Sequence, residues 1–289
     1  MQLLRLFWGI QGGIVTRFSV CALGLLLWVN AFVPSAWAVD GVVLINQNTS
    51  VSGLSGCPHS GFPIIICKSG SYRLAGNLTL MSVNNDAIQI TANNVALDLN
   101  GFTISGPVTC TTGPPFKCST TGTGIGIKDP TRSRRNITVR NGTVRGMGNA
   151  GIVLPGVGML IDGVHAESNA GISGVGILIG DGTVIHCTAE YNAADGTLGG
   201  NVSFSDISVN GRDGIVFARV ASNNSVTGNG KNGIEDAYLA LNNAVSLNGG
   251  FGIVAGSQHG YRGNMLSQNG GFFSGGVSLG ENLCNGVAC

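Results

Sequence analysis

Apolar and polar residues alternate in short bursts along most of this chain, and the bursts return at a fixed interval. Asp86-Ala87-Ile88-Gln89-Ile90 and Val95-Ala96-Leu97-Asp98-Leu99 alternate with period two, which predicts strands with one buried face. Further along, Asp213-Gly214-Ile215, Asn232-Gly233-Ile234 and Phe251-Gly252-Ile253 lie nineteen residues apart, and Asn210, Asn229 and Asn248 keep that interval. Self-similarity at a fixed short period marks a repeat architecture. Helical repeats need longer units and do not tolerate a glycine every few positions. The Leu-x-x-Leu-x-Leu phrase of leucine-rich repeats is missing. An all-β solenoid, the parallel β-helix, remains.

Stacking the coils assigns the residues to columns. Ile215, Ile234 and Ile253 form one inward column, and Val226, Val245 and Leu266 another. Gly or Asn is expected where the backbone turns with positive φ. Asn169, Asn192, Asn210, Asn229, Asn248 and Asn269 align the turns, with stacked amides bonding from coil to coil. Two residues before each of these asparagines is an outward position, which reads Glu167, Glu190, Ser208, Thr227, Ser246 and Ser267, with Arg145 ahead of Glu167. Neighbours in such a column lie about 4.8 Å apart at the backbone.

Composition agrees with a narrow core. Of 289 residues 48 are Gly, with only 10% charged and 6% aromatic, and hydrophobicity is too high for disorder. Residues 1–38 read as an export signal: Arg5 and Arg17 precede an apolar run from Phe18 to Val33, and Ala36-Trp37-Ala38 supplies a small-x-small cleavage site. An uncleaved anchor is the alternative, and no later segment approaches the roughly 20 apolar residues of a membrane span. Removing that segment takes the formal charge from +1 to −1, because the two arginines are its only charged residues, and leaves no electrostatic reason to expect nucleic acid. Six cysteines fall into close pairs suited to an oxidising compartment: Cys57 with Cys67, Cys110 with Cys118, and Cys284 with Cys289. Cys187 is left over in a strand-like run and reads as a core thiol. Zinc-ligand spacing and phosphate-binding glycine motifs are absent.

Leu97-Asp98-Leu99-Asn100-Gly101-Phe102-Thr103-Ile104-Ser105-Gly106, the lead-in Gly70-Ser71-Tyr72-Arg73-Leu74-Ala75-Gly76-Asn77-Leu78 and the tail Cys284-Asn285-Gly286 carry a resemblance. With them the chain resembles exported bacterial right-handed parallel β-helix repeat proteins of the pectate-lyase-like fold class. The resemblance implies a single-stranded right-handed β-helix and a secreted, periplasmic or cell-surface location. It implies no one activity, because the class holds lyases, hydrolases, epimerases and non-catalytic surface proteins. The expected organisation is a cap over 39–83, about nine coils over 84–282 and a cysteine hook over 283–289. The calcium-binding aspartate cluster of the class is missing. His259-Gly260-Tyr261-Arg262 is similar to the His-Gly element of pectin hydrolases, but its companion Asn-Thr-Asp and Arg-Ile-Lys elements are absent, so His259 and Arg262 read as turn residues.

Two groups of residues are candidates for chemistry. The loop closed by Cys110 and Cys118, and the long turn after it, carry Lys117, Lys128, Arg132, Arg134 and Arg135, which would line a basic groove for an anionic polymer or form a solvated charge run. The second group is Arg140, Arg145, Asp162, His165, Glu167, His186 and Glu190, where later coils carry mainly Ser, Thr and Asn. Stacked Glu167 and Glu190 repel unless Arg145 or a cation such as calcium offsets the charge, or one carboxyl is protonated. Arg140 or Arg145 with Glu167 or His165 would suit proton abstraction beside a uronate carboxylate, and Glu167 with Glu190 would suit hydrolysis. An ordinary ladder of exposed ion pairs, each worth under about 1 kcal/mol, produces the same pattern. Two functions are expected from this: association with an acidic extracellular polysaccharide, with lyase, epimerase or hydrolase turnover, or a non-catalytic structural solenoid.

Overall fold

Each coil consists of three short strands separated by turns, and each strand pairs in parallel with its counterpart one coil on. A computed structural model describes residues 41–57, 61–111, 117–171 and 174–289; the expected export signal lies outside them. Val42–Cys289 form one compact unit, a parallel β-solenoid of about ten turns.

The first face holds Ile88–Ile90, the start of Ile177–Ile185 and Ile215–Val216; the second, the start of Ile137–Arg145, the end of Ile177–Ile185 and Val220–Ser222; the third, Thr188–Glu190, Asp206–Ser208 and Ser225–Thr227. The inward columns expected from the repeat are present. Ile215 pairs with Ile234 and Ile234 with Ile253, while Val226 pairs with Val245 and Val245 with Leu266. Every one of these six residues is buried. A chain this rich in small turns has no second layer to pack against, so these columns are the core.

About ten turns agree with the expected coil number, and strands from the stretch expected as a cap join the stack. Val42–Ile45 pairs with Gly70–Leu74, and Ile64–Ile66 with Ile88–Ile90. What remains for end protection is the short helix Thr49–Ser52, the loop closed by Cys57 and Cys67, and Leu54, which joins the core. At the other end Leu283–Cys284 folds back antiparallel on Val287–Ala288, and Cys284 bonds Cys289. That hairpin terminates a sheet edge that would otherwise remain open.

The turn after the third face holds the asparagine ladder. Asn169, Asn192, Asn210, Asn229 and Asn248 each donate from Nδ2 to the next Oδ1, at 2.8–3.0 Å. The positive φ expected of the asparagines instead falls one residue earlier, on Ser168, Tyr191, Val209, Gly228, Leu247 and Gln268. The ladder asparagines hold the turn in place, so even β-branched Val209 is kept at φ 52°. Nor do the glycines of the repeating phrase supply positive φ. A Cβ on Gly233 would lie 2.7 Å from Gly252 O and against Val245, so glycine is there because adjacent coils approach too closely for a side chain.

Candidate functional site

The outward column of the third face follows the expected register without a break. Ser105 pairs with Arg145, Arg145 with Glu167, Glu167 with Glu190, and Glu190 with Ser208, followed by Thr227, Ser246 and Ser267. Strand alternation places His165 on the same outer side as Glu167, two residues before it. Between them Ala166 points inward onto Ala189, both fully buried, so the carboxylates stand on a packed floor.

Four side chains meet there. His165 donates from Nε2 to Glu190 Oε1 at 2.8 Å and lies 3.7 Å from Glu167 Oε2. Arg145 Nη1 takes the other oxygen of Glu167, Oε1, at 3.6 Å. The glutamate side chains retain 21% and 23% of their exposure and His165 36%, so the cluster is half-buried with its outer side open to water. Arg145 and Glu167 also line a groove of about 260 Å³, walled by Ser105–Cys110, Gly146 and Ser168. Its wall is anchored: Val108 is buried and its N–H donates to Gly146 O, and the loop beyond is closed by Cys110–Cys118. Residues 112–116 of that loop, Phe116 included, lie outside the described residues.

The other expected site residues lie elsewhere on the solenoid. Arg140 and Asp162 belong to the second face, in register with one another and with Asp98. Asp98 accepts from Arg140 Nη2 at 3.1 Å, and Arg73 stands 4.0 Å from it on the other side. His186 pairs with Asp162 at 3.1 Å and occupies a turn position with φ 52°, where other coils place Asn141, Asn223 and Asn242. This alternating Arg-Asp-Arg-Asp series balances its own charge across coils. It lies one turn back along the chain from the His165 cluster.

The five basic residues are divided between two turns. Lys117 belongs to the loop between the third and first faces, whereas Lys128, Arg132, Arg134 and Arg135 lie at or just beyond the first face, ahead of the second. Lys128 pairs with Asp86 at 3.1 Å. The stretch after it folds around Asp129, only 1% exposed, which accepts from the N–H groups of Thr131 and Arg134. Lys117 therefore lies ahead of the first face and Arg132, Arg134 and Arg135 beyond it.

Two features are not apparent from the repeat phrase alone. A second buried ladder, Ser205-Asn224-Asn243-Asn264-Asn282, runs through the turn between the second and third faces. Its signal is a constant offset, since Ser205, Asn224, Asn243 and Asn264 each precede a first-ladder asparagine by five residues. Cys187 N–H donates to Ser205 Oγ, so Cys187 occupies the rung before, and burial pushes its thiol up to about 11. The other feature is an acid ladder on the first face. Asp195 Oδ1 accepts from Asp213 N–H, and Asp213 Oδ1 from Asn232 N–H, which accounts for these acids as turn-holding groups. Burial raises the Asp195 carboxyl pKa, an effect partly offset by the Asp213 backbone bond and by Arg212, 3.7 Å away. His259 pairs with Asp236 at 3.1 Å and packs on Tyr238, and Arg262 pairs with Glu281, so both of these residues hold neighbouring coils together.

No family profile matches the chain, and no curated protein matches it by sequence. Among solved structures the chain is similar to the Dettilon tailspike protein (gp208), at 12% identity and a TM-score of 0.40 over 76% of this chain. The chain spans about half of that protein, 54% of its length.

Proposed function

We infer that this protein binds an acidic polysaccharide along the third face and acts on it at the cluster of Arg145, His165, Glu167 and Glu190. The observation that carries this reading is the convergence of an imidazole, two carboxylates and a guanidinium beside a groove, on a column that elsewhere holds only hydroxyls. Arg145 reaches Glu167 with one nitrogen and is 56% exposed, so the rest of its guanidinium is free to meet a substrate carboxylate. His165, held by Glu190, is the base that would remove the neighbouring proton. Two-carboxylate hydrolysis fits less well. Retaining pairs flank the bond about 5–5.5 Å apart and inverting pairs farther, whereas here the imbedded imidazole bridges the carboxylates, with three donor atoms within 4.8 Å. The reading is thus of a lyase or epimerase acting on a uronate polymer. Three disulfides suit a protein exported to an oxidising compartment.

The test is incubation of the purified protein with a panel of polyuronates and neutral glycans, following unsaturated ends, reducing ends, exchange of the proton beside the carboxylate, and bound polymer. Turnover on a polyuronate that falls at least a hundredfold in His165→Ala, with binding weakened in Arg145→Ala, is the expected result. No binding and no turnover on any polymer would overturn it and leave the solenoid as a structural element.

A further inference from the structure

We propose that His165, Glu167 and Glu190 form a binding site for a first-row transition-metal dication, with open coordination positions facing the groove. The inference rests on the reading of this cluster as a working site and names its cofactor class; with an ion on Nε2, His165 would serve as a ligand and the base would have to be another group. Glu167 and Glu190 are register partners on successive coils, and backbone spacing forces their charges together. Imidazole is their immediate partner, and it supplies positive charge only when protonated. Arg145 lies on the far oxygen of Glu167 and does not stand between the two acids.

The geometry fits a small ion. Ligand bonds of about 2.0–2.2 Å set donor atoms roughly 3–3.5 Å apart around a tetrahedral or octahedral centre. His165 Nε2 lies 2.8 Å from Glu190 Oε1 and 3.7 Å from Glu167 Oε2, and one donor atom from each residue fits within 4.8 Å. Small side-chain adjustments therefore bring all three onto one ion. Among the described residues this is the one group of His, Cys, Asp or Glu with such convergence.

The donor set also selects the metal. One imidazole and two carboxylates suit manganese, iron, cobalt, nickel or zinc, whereas calcium prefers six to eight oxygen ligands, and three residues offer too few. Three protein ligands with an open outer side is the pattern of a site that exchanges water or substrate. Arg145 on Glu167 Oε1 leaves Oε2 for the ion and fixes the carboxylate's orientation, as an outer partner of a ligand does. Glu167 itself borders the groove, so an anion there would reach the open positions.

The molecule contains its own control. His186 and Asp162 form another histidine–carboxylate pair, exposed and 3.1 Å apart, with no second acid in the group. The experiment is titration of the untagged, chelator-treated protein with Mn²⁺, Co²⁺, Zn²⁺ and Ca²⁺ by calorimetry, with the visible spectrum followed for Co²⁺ and no polymer present. One equivalent of a transition dication should bind, with Ca²⁺ at least tenfold weaker. His165→Ala and Glu190→Gln should each lose at least tenfold in affinity, and His186→Ala should lose nothing. Glu190→Gln keeps a side chain of the same size, and thermal melting of each variant separates lost ligation from lost folding. Absence of one-equivalent binding, or binding that survives both variants, overturns the proposal. Because no polymer is present, metal binding without polysaccharide binding would sink only the functional reading, and the converse would sink only the metal site.

Discussion

The coils before Asn210 and those after it use the same column of the third face for different purposes. In the later coils the column reads Ser208, Thr227, Ser246 and Ser267, and the hydroxyls of Thr227 and Ser246 bond one another at 3.2 Å. Coils there run 19 or 21 residues, and both asparagine ladders run unbroken. In the earlier coils the column reads Arg145, Glu167 and Glu190, coil length varies, and the Cys110–Cys118 disulfide lies beside it. Backbone pairing is equivalent in both regions, and the inward column stays buried throughout, as Ala166 and Ala189 in the earlier coils and Ile207, Val226, Val245 and Leu266 in the later ones. The charged cluster is therefore made of outward side chains on a scaffold held by ladders and inward columns elsewhere. The comparison can be broken by attacking the scaffold, or sharpened by exchanging side chains between the regions.

The largest effect is expected in the later coils. Asn210 accepts from Asn192 N–H and Nδ2 and donates to Ala189 O and Asn229 Oδ1, all buried. Asn210→Ala leaves those partners unsatisfied and should cost about 2–4 kcal/mol in urea unfolding. Gly233→Ala should come next, at about 1–3 kcal/mol, because its Cβ meets the next coil's backbone. An undiminished unfolding midpoint in either variant would contradict the ladder and close-approach accounts.

Asp195 gives a smaller effect of opposite sign. Its pKa is raised in the folded chain, so that state holds the proton more tightly than the unfolded chain does. The group's stabilising contribution is complete below the unfolded pKa and is lost as pH rises through the raised folded value. Asp195→Asn keeps an oxygen for Asp213 N–H, as Asn232 does for Phe251 N–H, and removes that loss. Stability at neutral pH should rise, with the gain vanishing in acid. Unfolding midpoints measured across the acid range check both sign and slope.

Glu190→Ser carries the later coils' residue into the earlier region. Stability should change by less than about 0.5 kcal/mol, since the position is outward and its floor of Ala166 and Ala189 is untouched, while metal and polymer binding are lost. A drop in stability comparable to Asn210→Ala would mean that the charged cluster is structural. The smallest effect belongs to Cys187: with its thiol pushed up to about 11 and buried, it should resist alkylation in the folded protein and react only on unfolding, as mass spectrometry would show.

Much of this was legible before any coordinates. Nineteen-residue spacing of the Asn and Gly-Ile phrases is dictated by the coil, and parallel stacking converts equal spacing into vertical columns, so the inward column and the column of Arg145, Glu167 and Glu190 follow from counting. The close cysteine pairs were visible in the spacing, while their connectivity came from the structure, which bonds Cys57 to Cys67, Cys110 to Cys118 and Cys284 to Cys289. Tertiary structure decided which residues share a corner. Arg140 and Arg145 are five apart in sequence, yet a turn at Asn141 puts them on different faces. It also decided that glycine serves close approach in the repeating phrase, and that His165 reaches diagonally across coils to Glu190. Spacing along a chain specifies the height of a residue in a solenoid. The direction in which a side chain points around the axis depends on where each turn falls, and turns are set by hydrogen bonds to neighbouring coils that exist only once the coils are stacked.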